Sequence, residues 1–163
     1  MNFKSLLFLL FPLFLFSQKT FYKVVRIKDG DTVCLLMNGK EEVIRLAHVD
    51  TPEKKQAFGT KAKQATSNLC FGKLVSLKSN AKKDRYQRIV AELILENGRN
   101  VNRELVKKGM AWHYKAYSND ESYGKLEATA RKNKTGLWRD KKPMAPWKYR
   151  KLPKEERAAY NSN

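Results

Sequence analysis

Two turn signatures decide what the first part of this chain can become. Asp29-Gly30-Asp31 and Asn38-Gly39 cut the stretch 21–47 into three short runs: Phe21–Lys28, Thr32–Met37 and Glu42–Ala47. Each run is too short for an independent helix and each carries Val, Ile or Leu in a pattern that suits a strand. Asn-Gly is the preferred pair for a two-residue hairpin because both of its positions tolerate positive φ. A three-stranded meander is therefore predicted, with Asp29-Gly30-Asp31 turning the first strand into the second.

Beyond the meander, Phe58, Ala62, Ala65 and Leu69 recur at helical spacing and stop at Gly72, which suits a left-handed cap. Residues 73–79 and 89–95 return to strand character across the charged loop 80–88, and Asn97-Gly98 marks another turn. A second helix is predicted from Val101 to Lys108, closed by Gly109. Ser118-Asn119-Asp120-Glu121 has the spacing of a capping box and opens a third helix to about Asn133, with Leu126 and Ala130 inward and Thr135-Gly136 at its end. The fold class expected is α+β with a β-barrel core. Five short strands with a helix between the third and fourth resemble a small closed Greek-key barrel of the oligonucleotide-binding (OB) type, here with three α-helices.

The two ends are set apart from this unit. Lys4 precedes an unbroken apolar stretch from Leu6 to Phe16, followed by polar Ser17-Gln18, which reads as a signal peptide over 1–18. The stretch is far shorter than the roughly 20 residues a spanning helix needs, so no stable membrane anchor is expected after cleavage. The expected localisation is secreted, either extracellular or periplasmic. The domain is expected over 19–138. Residues 139–163 hold eight basic and three acidic residues and three prolines, and read as a basic C-terminal tail partly pinned by Trp147 and Tyr149.

Removal of residues 1–18 takes only Lys4 from the 34 basic residues and nothing from the 16 acidic ones, leaving a net charge of +17. Such a charge on one modest domain predicts a polyanionic partner, foremost nucleic acid. Cys34 and Cys70 would be permitted to pair in an exported protein, but nothing in their spacing requires it, and unpaired thiols are the expectation. No histidines stand at ligand spacing for zinc.

The residues with chemistry cluster at the end of the third run, in Arg45-Leu46-Ala47-His48-Val49-Asp50-Thr51-Pro52-Glu53. A hard divalent cation wants carboxylate and carbonyl oxygens, a phosphate wants a guanidinium fork, and an attacking water wants a base. Thr51 precedes a proline and is biased to extended backbone, so its carbonyl is free to face an ion. Asp29 reads as a turn residue capping its own backbone, and His48 and His113 as packing or surface residues.

Three motifs in order, Asp29-Gly30-Asp31-Thr32, Ile44-Arg45-Leu46 leading to Val49-Asp50-Thr51-Pro52-Glu53, and Asp84-Arg85-Tyr86-Gln87-Arg88, resemble the thermonuclease, or staphylococcal-nuclease-like, family of secreted nucleases. The resemblance covers roughly Phe21 to Trp138. It implies a calcium ion held by Asp31, Asp50 and the carbonyl of Thr51, Glu53 as general base, and Arg45 and Arg88 on the phosphate. It also implies Arg85 against a flanking phosphate and Tyr86, Tyr114 and Tyr117 as platforms for bases. The family commonly has glycine where this chain has Gln87, a residue that resists positive φ.

The activity so implied is a calcium-dependent endonuclease acting on DNA and RNA, with single-stranded or frayed substrate favoured because stacked bases and a pocketed phosphate both disfavour an intact duplex. Monomer is the default expectation. Two other readings use the same charge. One is a catalytically inactive nucleic-acid-binding module on the same barrel, which leaves Asp31, Arg45, Asp50, Glu53 and Arg88 without a purpose. The other is an envelope protein for acidic lipid or polysaccharide, which leaves the three motifs unexplained.

Overall fold

The computed structural model describes residues 19–162; the signal peptide expected over 1–18 lies outside them. Five strands close into a barrel: β1 (Tyr22–Asp29), β2 (Thr32–Met37), β3 (Lys40–Leu46), β5 (Leu74–Lys83) and β6 (Ile89–Leu95), in the spatial order β1-β2-β3-β6-β5. All pairings are antiparallel except β3 with β6, which run parallel because α1 (Gly59–Cys70) and β5 intervene between them. The barrel is the expected OB-type core. Asn38 and Gly39 both take positive φ, 50° and 76°, and fold Met37 onto Lys40.

The barrel is filled by Val24, Val33, Leu35, Ile44, Leu46, Val75, Leu93 and Leu95, all at most 5% exposed. Leu69 and Cys70 of α1 and Val101, Leu105 and Val106 of α2 (Val101–Lys107) join the same core. At roughly 1.5–3 kcal/mol per fully buried aliphatic side chain, these residues dominate the stability of the domain. Cys34 and Cys70 are both buried and unpaired, and burial pushes the Cys70 thiol up to about 12.

The structure departs from the expected elements in several places. β3 begins at Lys40 and β5 continues to Lys83, each longer than the sequence pattern alone suggested. Two short strands, β4 (Val49–Asp50) and β7 (Trp112–His113), pair antiparallel outside the barrel, and sequence periodicity cannot reveal strands of two residues. The capping box of α3 (Glu121–Lys132) does not form: Asp120 caps the helix by accepting from the Ser122 N–H at 2.9 Å. A carboxylate at a helix N-terminus also meets the positive end of the helix dipole. Ser118 is engaged elsewhere, its Oγ lying 2.9 Å from both His48 Nδ1 and His113 Nε2.

The C-terminal residues expected as a tail include two helices that the sequence pattern did not predict, α4 (Pro146–Tyr149) and α5 (Lys154–Ser162). Pro146 opens α4 where its missing N–H costs nothing. Ala145 and Tyr149 are buried, and Trp147 packs edge-on against Trp112 at 5.6 Å between ring centroids. Among the described residues no helix is long and apolar enough to cross a membrane.

Candidate active site

The site is built where the β1–β2 turn, the end of β3 and the segment after β4 meet. In the turn, Asp29 caps its own backbone by accepting from the Gly30 N–H at 2.9 Å. Asp31 stands next to it, with its backbone carbonyl accepting from the Leu46 N–H at 2.9 Å. Gly30 is required by close approach, since a Cβ there would fall 2.6 Å from Thr51 Oγ1. That contact brings Thr51 in, and the Thr51 N–H donates to Asp31 Oδ2 at 3.1 Å.

Asp50 is held by the small second sheet, opposite Trp112, and is 1% exposed. Arg45 joins the two aspartates from below. Its Nη1 donates to the carbonyls of Leu46 and Val49 at 2.6 and 2.8 Å, and its Nη2 lies 3.1 Å from both Asp31 Oδ2 and Asp50 Oδ1. The guanidinium is thus fixed by four oxygens before any substrate arrives. Glu53 sits at the mouth, with Gln56 bonding to its backbone at both N–H and carbonyl. Gly59 lets this loop lie on the start of α1, as a Cβ there would collide with the Glu53 carbonyl at 1.9 Å.

A residue that sequence reasoning missed completes the cluster. Arg150, immediately after α4, places Nη2 2.8 Å from Asp50 Oδ2, and Nη1 3.3 Å from Asp50 Oδ1 and 2.7 Å from Glu53 Oε1. Burial works against its charge, but the bonds to Asp50 and Glu53 outweigh that and raise its pKa above the ordinary arginine value. The only trace of it in the sequence is that Trp147 and Tyr149 pin the segment in which it lies.

Asp50 itself remains an uncomfortable anion. Burial pushes its carboxyl upward, the neighbouring Asp31 adds to this, and the hydrogen bond from Arg150 and the charges of both arginines offset it only in part. Asp31 and Asp50, both within 3.1 Å of Arg45 Nη2, offer carboxylate oxygens of the kind a hard cation such as calcium takes, and Thr51 stands beside them with its N–H on Asp31. Among the described residues no three His, Cys, Asp or Glu side chains converge as a metal cage.

The structure brings Asp31, Arg45, Asp50, Thr51 and Glu53 together, and pairs Arg88 with Asp84 instead. In the 84–88 loop Gln87 adopts φ 62° despite being no glycine, a conformation that costs a non-glycine residue roughly 1–2 kcal/mol. Asp84 gathers this loop: its Oδ1 accepts from the N–H groups of Tyr86 and Arg88 at 2.9 and 3.0 Å, and its Oδ2 from Arg88 Nε and Nη2 at 2.8 and 2.7 Å. Arg85 and Arg88 both lie over the exposed Tyr86 ring, at 4.8 and 5.2 Å from its centroid.

Tyr114 and Tyr117 lie together, with centroids 4.8 Å apart. Tyr117 is 78% exposed, whereas Tyr114 stacks in parallel on Trp147 at 5.4 Å. Tyr114 borders a groove of about 430 Å³ lined also by Trp112, Arg131, Trp147 and Lys151. His48 and His113 flank Ser118 and stack on Tyr123, a packing role as the sequence suggested.

A closed five-stranded barrel with a guanidinium clamped between two buried aspartates, and a glutamate at the mouth, has the form of an OB-fold enzyme for phosphodiester hydrolysis. Residues 43–140 match the family model described as staphylococcal nuclease homologue. Over 138 residues the chain is 43% identical to an uncharacterized endonuclease of Haemophilus influenzae, covering 84% of this chain and 76% of that protein. It is 39% identical over 128 residues to an uncharacterized endonuclease of Escherichia coli, covering 78% and 83%. With the micrococcal nuclease of Shigella flexneri it shares 38% identity over 142 residues, 81% of each chain. This chain belongs to the staphylococcal nuclease family, and is a nuclease hydrolase with nucleic acid as its substrate class.

Proposed function

We propose that this protein is a calcium-dependent endonuclease that hydrolyses phosphodiester bonds in DNA and RNA, preferring single-stranded or frayed substrate, and that it acts as a monomer after export across the membrane. The observation that carries the reading is Arg45 held between Asp31 and Asp50, with Glu53 beside Asp50 at an open mouth.

Calcium bound by Asp31, Asp50 and the Thr51 carbonyl would supply fixed positive charge against a phosphate oxygen. Glu53 takes a proton from water and aims it at phosphorus in line with the departing ester oxygen. The new P–O bond forms as the ester P–O bond breaks, and the departing oxygen leaves with the bonding pair and takes a proton from solvent water. Arg45, already fixed by the carbonyls of Leu46 and Val49, meets the negative charge that grows on the phosphoryl oxygens without having to reorganise. Arg88 reaches the same phosphate from the rim by exchanging Asp84 for it, and Arg85 holds a flanking phosphate. Tyr86 and Tyr117 offer exposed rings for bases, and Tyr114 backs Tyr117 from its stack on Trp147.

Export is supported by the charged, apolar and polar succession over 1–18. The decisive experiment incubates the mature protein with single-stranded DNA, with calcium or with chelator, beside a Glu53→Gln variant. Cleavage that needs calcium and falls at least about 10²-fold in the variant is expected. Calcium-independent cleavage, or full activity of Glu53→Gln, would remove the mechanism. Salt-sensitive binding without cleavage would favour an inactive binding module.

A further inference from the structure

The residue with no role in the mechanism above is Arg150, and it is the one that touches both Asp50 and Glu53. Its fork takes both oxygens of Asp50 and one of Glu53. Arg45 approaches the same carboxylate of Asp50 from the protein side and is 13% exposed, whereas Arg150 approaches from the mouth and is 40% exposed. The two guanidiniums are therefore not equivalent. Arg45 is held by backbone carbonyls as well as carboxylates, whereas the Arg150 side chain bonds to Asp50 and Glu53 from a more exposed position.

The backbone that carries Arg150 is firmly placed. Its own N–H closes the turn of α4 by donating to the Pro146 carbonyl at 2.9 Å, and Tyr149 beside it is buried. Gln56, in the loop that carries Glu53, donates to the Met144 carbonyl at 2.7 Å, and Trp147 stacks on Tyr114. A side chain on such a base can swing while its Cα stays at the rim.

We propose that Arg150 is a third phosphate-binding residue of this nuclease, which exchanges Asp50 and Glu53 for a substrate phosphate when a divalent cation takes the carboxylates. The inference rests on the nuclease reading and extends it to the C-terminal segment. Arg150 must release Asp50 for a cation to coordinate it, so the arginine and the cation compete. Once released, its planar fork stands at the mouth without a carboxylate partner, and a phosphate diester offers the two oxygens that such a fork matches. In the exchange Glu53 also loses its ion pair and becomes free to act on water.

The signature is conditional. Calcium binding, measured by titration calorimetry without nucleic acid, should tighten about tenfold in Arg150→Ala, since the competing cation is gone. Binding of a labelled single-stranded phosphorothioate oligonucleotide, followed by fluorescence anisotropy, should weaken about tenfold in the variant at saturating calcium and change little in chelator, where Arg150 stays on the carboxylates. Arg150→Lys, which keeps the charge and loses the fork, should fall between. Lys154→Ala on α5 serves as the control for general loss of positive charge, and melting temperatures confirm that each variant is folded.

Unchanged calcium affinity in Arg150→Ala would overturn the proposal. So would an oligonucleotide affinity that falls equally in calcium and in chelator, which is ordinary electrostatic attraction, or one that Lys154→Ala matches. Neither readout requires turnover: a wild-type protein that fails to cleave DNA sinks the nuclease reading, and the two titrations still decide the exchange.

Discussion

Asp50 and Glu92 are both buried carboxylates, 1% and 3% exposed, and the fold treats them in opposite ways. Glu92, on β6, accepts a short hydrogen bond from Tyr123 and one from Asn100 at 2.7 Å, with Lys78 3.2 Å away. Burial pushes its carboxyl up, but these bonds outweigh burial and hold it below the ordinary glutamate value. Asp50 has two guanidiniums and still ends above the ordinary value, because burial and Asp31 act together against its charge. A carboxylate satisfied by neutral donors and one lysine has a structural use. Asp50, left short of positive charge, is the one that the proposed mechanism gives to a cation.

The linkage follows from these directions. Glu92 contributes stability that is present above its unfolded pKa and is lost as pH falls through its lower folded value. Asp50 does the reverse, favouring the fold while protonated and losing that contribution as pH rises through its higher folded value.

The largest effect expected on this contrast is from Asp50→Asn. Cleavage rate should fall by about 10²–10³, while the melting temperature holds or rises, because the neutral amide resembles the form the fold prefers. A variant that unfolds and yet cleaves at the normal rate when cold would reverse the assignment. Glu92→Gln should do the opposite and destabilise the protein by about 1–3 kcal/mol in urea unfolding, through donors left poorly matched in the core, with the rate per folded molecule preserved.

A smaller effect sharpens how the two regions are joined. His113 pairs with Val49 next to Asp50 and stacks on Tyr123 at 6.0 Å, so it links both carboxylates. Burial holds its imidazole below the ordinary value. As pH falls from about 6.5 towards that lower folded value the unfolded chain takes up a proton first, so stability is lost in that window. The urea midpoint should drop between neutral pH and pH 5, with a flatter slope in His113→Gln. An identical slope would place the loss elsewhere. The smallest effect lies outside both regions: Gln87→Gly should stabilise the protein by about 1 kcal/mol by relieving its left-handed backbone. A loss of stability instead would mean that the Gln87 side chain contributes more than its backbone strain.

Much of the fold is legible in the sequence because it is local. Asn38-Gly39 closes a hairpin by its own conformational preference, and Gly72 and Gly109 take the positive φ that helix ends require, whereas α3 ends before the expected Thr135-Gly136, with Lys134 rather than Gly136 left-handed just past its cap. Arg45, Asp50, Thr51 and Glu53 stand within nine residues, so their neighbourhood is nearly forced. Asp31 joins them through a register that the meander implies, with Thr32 opposite Arg45. What was not legible depends on contacts between distant segments. The pairing of β4 with β7 spans some sixty residues, the capping role passed from Ser118 to Asp120 because two histidines had claimed the serine, and α4 needs the aromatic surface of Trp112 and Tyr114 before it has anything to pack on.

By itself the sequence determined the barrel, the cationic surface and the identity of the residues on β3 and just after it, since alternation, turn chemistry and charge act over a few residues. Only the tertiary structure decided that Arg150, a hundred positions from Asp50, shares its carboxylate. The reason is physical: an ion pair has no sequence period, and its partners are chosen by whichever backbone the hydrophobic contacts of Ala145, Trp147 and Tyr149 bring to the mouth of the site.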